Sequence, residues 1–278
     1  MTGPLRLASD LAFPCVMGVL NVTPDSFSDG GMFVHPEAAL RQGVAMAGDG
    51  AAIVDIGGES TRPGSDPVTV EQELGRVVPI VEALSGRVAA RISVDTSKAE
   101  VARRALAAGA EIVNDVSALR VDPGMVEVVA EAACPVCLMH MLGAPKTMQA
   151  DPRYENVVDE VLRFLEERLA FAVAAGVREE QVLLDPGIGF GKTLEHNLLL
   201  LRHLDRFTVL GRPVVLGTSR KRFLGAILDA EPQDRLIGTV ATTVMGALAG
   251  AAVFRVHDVR PNVEALRVTE AVRYADDQ

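Results

Sequence analysis

Eight short apolar runs recur along the chain, each the length of one strand: Val16–Leu20, Ala52–Ile56, Arg91–Asp95, Glu111–Asn114, Val136–Met139, Val182–Asp185, Pro213–Gly217 and Ala251–Val256. Segments of helical period separate them. Leu74, Val77, Val78, Val81 and Leu84 repeat at three- and four-residue intervals, which lines one face of a helix. Val157, Val158, Val161, Leu162 and Leu165 mark a longer helix, and Leu236, Val240, Thr243 and Val244 another. Ser97-Lys-Ala-Glu100 reads as a capping box that opens the helix carrying Val101, Ala105 and Leu106. Strands joined by helical crossovers pair in parallel, so the class is α/β. Closing such a sheet gives a (β/α)8 barrel; an open doubly wound sheet has the same periodicity.

Composition narrows the partners. A net charge of −10 argues against nucleic acid and against an anionic membrane, both of which want basic patches. The sequence has no long uninterrupted apolar stretch that would span a membrane. Met1 to Asp10 lacks the basic-then-apolar order of a secretory signal. Three cysteines make no even framework, which predicts a reducing, cytoplasmic setting. Cys134-Pro-Val-Cys137 is a CxxC, but it runs into a strand, where residues three apart point to opposite faces. These cysteines read as structural rather than as a redox or zinc pair. No linker, low-complexity segment or repeat beyond the strand–helix unit is visible, so residues 1–278 are expected to form a single domain.

The polar residues select one end of the fold. Asn21, Asp55, Asp95, Asn114, His140, Asp185, Ser219 and Arg255 fall at or just past the C-terminal ends of strands, the end that carries the active site in such barrels. Val253, Arg255 and His257 share parity, so all three are predicted to face inward. Asp95 could alternatively cap the following helix. Lys221, Arg255 and His257 follow strands seven and eight, where barrels commonly hold phosphate, and cations at both places suit a diphosphate. The segment after Leu20 breaks into Asn21, Thr23, Pro24, Asp25, Ser26, Ser28, Asp29 and two glycines. Its hard oxygen groups suit Mg²⁺ or polar substrate atoms. Gly191-Lys192-Thr193 imitates the end of a phosphate-binding P-loop, but Pro186 stands where that motif needs glycine.

Eight of these segments, in order, resemble the dihydropteroate synthases. They are Asn21 to Gly31, Asp55-Ile-Gly-Gly-Glu-Ser-Thr-Arg-Pro-Gly64, Ser93-Val-Asp-Thr-Ser97, Asn114-Asp115, Met139-His-Met141, Asp185-Pro-Gly-Ile-Gly-Phe-Gly-Lys192, Ser219-Arg-Lys221 and Arg255-Val-His-Asp258. The resemblance implies a closed TIM barrel forming a single pterin-binding domain. It implies condensation of (7,8-dihydropterin-6-yl)methyl diphosphate with 4-aminobenzoate in folate biosynthesis, giving 7,8-dihydropteroate and diphosphate. It implies small-molecule substrates, Mg²⁺ and a homodimer.

By that resemblance Asn21, Thr61, Asp95, Asn114, Met139, Asp185, Lys221, Arg255 and His257 bind the pterin diphosphate. Asp95, Asp185, Lys221 and Arg255 carry the catalytic work. Phe27, Asp29, Arg62, Pro63, Phe190 and Ser219 surround the aminobenzoate, and Asn21 with Asp25 ligates the metal. Asp185 suits a pterin chemically, because a carboxylate accepts two coplanar N–H donors. Pterin-binding methyltransferase domains share the barrel, but have no reason to keep the Ser219-Arg-Lys221 segment.

Overall fold

The computed structural model describes residues 11–23, 36–60, 64–143 and 146–275. The strands are β1 (Cys15–Asn21), β2 (Ile53–Gly57), β3 (Arg91–Asp95), β4 (Ile112–Asp115), β5 (Val136–Met139), β6 (Val182–Asp185), β7 (Val215–Leu216) and β8 (Val253–Val256). The helices among the described residues are α1 (Pro36–Gly48), α2 (Val70–Leu84), α3 (Ala99–Ala108), α4 (Met125–Ala132), α5 (Val157–Ala174), α6 (Leu194–Arg202), α7 (Arg222–Leu228), α8 (Leu236–Leu248) and α9 (Val259–Arg273). The strands pair in parallel in the order β6-β5-β4-β3-β2-β1-β8-β7. A bridge between Leu184 and Val214 joins the two ends, with the Leu184 amide donating to the Pro213 carbonyl at 3.0 Å. The chain is the expected (β/α)8 barrel.

The sequence pattern and the structure part in a few places. Regular pairing in the seventh run is confined to Val215–Leu216, since Pro213 has no amide to give a ladder. The second strand begins one residue later than the apolar run. The capping box predicted at Ser97 does not form. Helix α3 starts at Ala99 behind Lys98, which makes no side-chain cap. The Thr96 hydroxyl accepts the Lys98 amide at 3.2 Å, and the Asp122 carboxylate accepts the Ala99 amide at 2.8 Å. A carboxylate from a distant loop therefore does what Ser97 was expected to do. Capping boxes do form at Thr69 with Gln72 before α2 and at Thr193 with His196 before α6.

Two apolar layers follow from strand alternation. Outward residues such as Val54, Ile56, Ile92, Val94, Val113 and Leu138 pack against the helices. Inward residues Cys15, Met17, Ile53, Ile112, Cys137, Leu183, Val215 and Val253 form a separate plug inside the barrel. Cys134 belongs to the outer layer and Cys137 to the plug, on the opposite faces that their spacing predicts. All three cysteines are free and buried. Burial pushes the Cys134 thiol up to about 12, so it is inert at neutral pH.

One buried charge cluster ties the loop after β2 to the helical layer. Glu73 on α2 has no exposed side-chain surface, and its Oε2 lies 2.5 Å from the Lys98 ammonium, which also binds Glu59. The other Glu73 oxygen has no hydrogen-bond partner among the described residues. Lys98→Met strands that carboxylate. The expected loss is about 3–5 kcal/mol of unfolding free energy, measured in urea. The double variant Lys98→Met/Glu73→Leu should recover most of it, and a single variant within experimental error of wild type would contradict this account.

Candidate active site

The polar floor of the barrel mouth stands one pleat above the apolar plug. Asp55 follows Ile53 by two residues, Asn114 follows Ile112, Met139 follows Cys137, Asp185 follows Leu183 and Arg255 follows Val253. Inward parity thus carries each from core into site. Asp95 occupies the same level on β3, in register with Gly57 on β2 and Asn114 on β4. Asn21 ends β1 opposite Gly57.

Arg255 organises this floor. Its Nε donates to Asp55 Oδ2 at 2.7 Å and its Nη2 to Asp95 Oδ2 at 2.6 Å. Asn114 Nδ2 donates to the same Asp55 oxygen at 2.9 Å. Asp55 is fully buried, and its Oδ1 has no partner among the described residues. Burial raises the Asp95 carboxyl to about 7; Arg255 opposes the shift, while Asp55 adds to it. Burial also works against the Arg255 charge, but Asp55 and Asp95 hold that guanidinium above its ordinary range.

Across the mouth, Asp185 Oδ1 accepts the Gly187 amide at 2.6 Å. Burial raises its pKa, and Lys221 opposes the rise. The half-buried Lys221 donates to the Ile188 carbonyl and sits 4.6 Å above the Phe190 ring. Burial lowers its ammonium to about 8, with Asp185 resisting. Gly217 keeps space open between them. A Cβ there would stand 3.8 Å from Lys221 Nζ and 4.0 Å from Asp185 Oδ2. Met139, Val116, Met141 and Met148 form an apolar patch against Phe190.

The loops after β7 and β8 are bolted together. Ser219 Oγ accepts the His257 amide at 3.1 Å and lies 3.0 Å from His257 Nδ1. Arg220 takes a left-handed conformation, φ 58°, which is unusual away from glycine. Its guanidinium grips Asp258 at 3.0 and 2.6 Å, and its carbonyl accepts from Arg235 at 2.9 Å.

The structure therefore converges Asp95, Asn114, Asp185, Lys221 and Arg255, pairs Ser219 with His257, and sets Phe190 against Lys221 and Met139. Asp25, Phe27, Asp29, Thr61, Arg62 and Pro63 lie outside the described residues. Among the described residues, no group of three or more His, Cys, Asp or Glu could hold a metal ion. Two contributors had no assigned role in the sequence. Asp55 was visible as a strand-end carboxylate, and its parity with Ile53 was the signal that it faces inward. Lys192, the near-match to a P-loop lysine, turns into the protein and is 3% exposed.

Comparisons with known proteins identify the family. The family model described as "Pterin binding enzyme" matches residues 17–257. The dihydropteroate synthase of Escherichia coli strain K12 is 50% identical over 268 residues, covering 96% of this chain and 95% of that protein. The Xanthomonas albilineans dihydropteroate synthase with 4-aminobenzoic acid superposes with a TM-score of 0.89 at 50% identity, covering 95% of this chain and 94% of the other. The same bacterium's enzyme in complex with 7,8-dihydropteroate gives 0.87 at 46% identity, covering 98% and 99%.

The raised carboxyl of Asp95 sets a stability signature with a definite sign. It binds its proton more tightly folded than unfolded between about 4 and 7, so its favourable contribution is present at low pH and lost as pH rises through about 7. Asp95→Asn removes that titration. Urea unfolding at about pH 5 and about pH 8.5 should show the variant gaining on wild type at the higher pH. A difference that stays constant, or shrinks with rising pH, would contradict the assignment.

Proposed function

The chain belongs to the pterin-binding enzymes and, among them, to the dihydropteroate synthases, and from that premise we propose how its residues divide the reaction. The reaction joins 4-aminobenzoate to (7,8-dihydropterin-6-yl)methyl diphosphate, giving 7,8-dihydropteroate and diphosphate. The observation that carries the division of roles is the facing pair at the mouth: the Asp185 carboxylate beside Lys221, across from the Asp55–Arg255–Asp95 cluster.

Asp185 accepts the ring N–H and amino hydrogens of the pterin, with Gly187 fixing its other oxygen. Asn114 and Asp95 hold the opposite edge, and Met139 packs on the ring face. Lys221 keeps a positive charge beside Asp185 and the ring. Thr61 completes the pterin side. Arg255 and His257 take the diphosphate, with Asn21 on the neighbouring strand. As the exocyclic C–O bond breaks, the Arg255 guanidinium and these hydrogen-bond donors meet the negative charge that develops on the departing group. The aminobenzoate nitrogen then bonds to the freed carbon and releases its proton. Phe190, Ser219, Arg62 and Pro63 hold that acceptor, with Phe27 as a wall and Asp29 at the incoming amine. Fixing both partners in one pocket supplies much of the acceleration, and no covalent enzyme intermediate is needed.

Mg²⁺ fits as a companion of the diphosphate. It favours waters and phosphate oxygens with one or two protein oxygens, and Asn21 offers one beside the Arg255 strand. Asp25 is the proposed second ligand. When bound, the ion would neutralise charge on the leaving diphosphate.

The whole chain, 1–278, is taken as one catalytic domain acting in the cytoplasm, a setting that three free cysteines support. A homodimer is supported by apolar surface on two packed helices: Ile237, Met245 and Leu248 on α8, and Val268 and Val272 on α9, are all exposed. Sedimentation velocity reads that state directly.

Two outcomes test the site. Asp185→Ala leaves pterin donors unpaired and is expected to cost about 2–5 kcal/mol of pterin affinity in calorimetric titration; near-wild-type binding would remove Asp185 from the pocket. Chelation of divalent ions should abolish diphosphate release, with recovery on adding Mg²⁺. Full turnover in excess chelator would exclude the metal.

A further inference from the structure

The loop between β6 and α6 is held from inside by a lysine that touches neither proposed substrate. Three glycines, Gly187, Gly189 and Gly191, adopt positive φ of 68°, 84° and 65°. A Cβ at Gly187 would come within 1.9 Å of the His140 carbonyl oxygen, and one at Gly191 within 2.7 Å of Leu142. The loop thus lies hard against the segment after β5, where no side chain fits between them. Such a path turns its own carbonyls away from helix or sheet, and buried carbonyls need donors.

Each of five successive carbonyls finds a side-chain donor. Lys192 Nζ donates to Gly187 at 2.9 Å and to Phe190 at 3.0 Å. Lys221 donates to Ile188, Gln149 to Gly189 at 2.5 Å, and Tyr154 to Gly191 at 2.8 Å. Lys192 alone supplies two, and its Nζ also lies 2.9 Å from His140 Nδ1. Burial pushes His140 down to about 2, with Lys192 and Arg120 adding to the effect, so the imidazole is neutral and can pair with an amine.

We propose that Lys192 is a positioning residue for both substrates at once. Its Nζ holds Gly187, whose amide orients Asp185, and it holds Phe190, whose ring lies under Lys221. One buried group therefore sets the spacing between the pterin side and the aminobenzoate side of the pocket. The lysine contacts neither reactant and acts through the loop backbone. This inference rests on the proposed roles of Asp185 and Phe190.

The test is steady-state kinetics and pterin titration on the full chain, normalised to the active fraction, for wild type, Lys192→Met, Phe190→Ala and Asp185→Asn. Methionine keeps the length of the side chain and removes its donors. The expected result for folded Lys192→Met is an aminobenzoate KM raised about tenfold together with a pterin Kd raised about tenfold, because a misplaced loop costs at both contacts. A role in stability alone would lower the Tm and the active fraction, but leave both constants unchanged per active site. That outcome overturns the proposal. If instead Phe190→Ala and Asp185→Asn leave both constants unchanged, the underlying site assignment fails, not the lysine's role alone.

Should Lys192→Met not accumulate as folded protein, His140→Leu decides. It removes the imidazole partner of Lys192 and keeps both carbonyl bonds available. A rise of about threefold in the aminobenzoate KM, reversed by His140→Gln with its amide oxygen, supports the proposal. Unchanged constants in folded His140→Leu overturn it.

Discussion

Inside a closed parallel barrel, every strand gives one residue in two to a space that water barely enters. The lower inward positions of this chain are apolar and mutually packed. The next inward positions are charged or polar, and they can be so only because the mouth above them is open and because they pair with one another. Asp55 is fully buried, and an ionised carboxylate in that position needs a partner. Arg255 supplies it from the other side of the β1 strand, and thereby draws β2, β3 and β8 into one polar unit. Site geometry here is a consequence of how the floor solves its own burial problem.

The floor is nevertheless left unbalanced. Asp55, Asp95 and Asp185 face Arg255 and Lys221, three carboxyls against two basic groups, and burial raises both Asp95 and Asp185. At Asp95 burial and the repulsion from Asp55 outweigh the pull of Arg255, and its carboxyl rises to about 7. An excess of acceptor oxygens suits a ligand edge rich in N–H donors. It also means that a diphosphate cannot simply settle on the floor. In the proposed division of roles its charge is taken at the rim, by His257 and the outer face of Arg255, with Mg²⁺ beside Asn21 at the end of β1.

Much of this was legible because parity survives from sequence to structure. Asp95, Asn114 and Asp185 each close an apolar run and Arg255 stands next to the end of one, and two-residue counting from Ile112, Leu183 and Val253 puts three of them inside the barrel. Pairings between distant strands were not legible. Asn114 reaches Asp55 across 59 residues of sequence, and Arg255 reaches it across 200. No local pattern encodes such a contact. The same reason undid the cap assigned to Ser97, where Asp122 took the amide from 23 residues away. The part played by Lys192 was hidden for a different reason. Its neighbours Gly191 and Thr193 resemble a phosphate loop, while its actual direction is set by three left-handed glycines and by His140 on the preceding strand–helix connection.

The barrel is weakest in backbone terms where β6 meets β7, through a single bridge between Leu184 and Val214. Side chains of the candidate site span that seam. Lys221, from the loop after β7, donates to Ile188 in the loop after β6 and lies over Phe190. On either side further ties continue the ring: His140 with Lys192 joins β5 to β6, and Ser219 with His257 and Arg220 with Asp258 join β7 to β8. Arg255 carries the ring on to β2 and β3. The groups proposed to meet substrate are thus also groups that hold the mouth closed where the sheet does least. Lys221 is proposed to bear both duties; burial lowers its ammonium to about 8, and Asp185 resists that fall. A pterin bound to Asp185 alters that pull directly. On the proposed roles, binding at the floor is coupled, through one lysine, to the staple across the seam and to the placement of Phe190 against the second substrate.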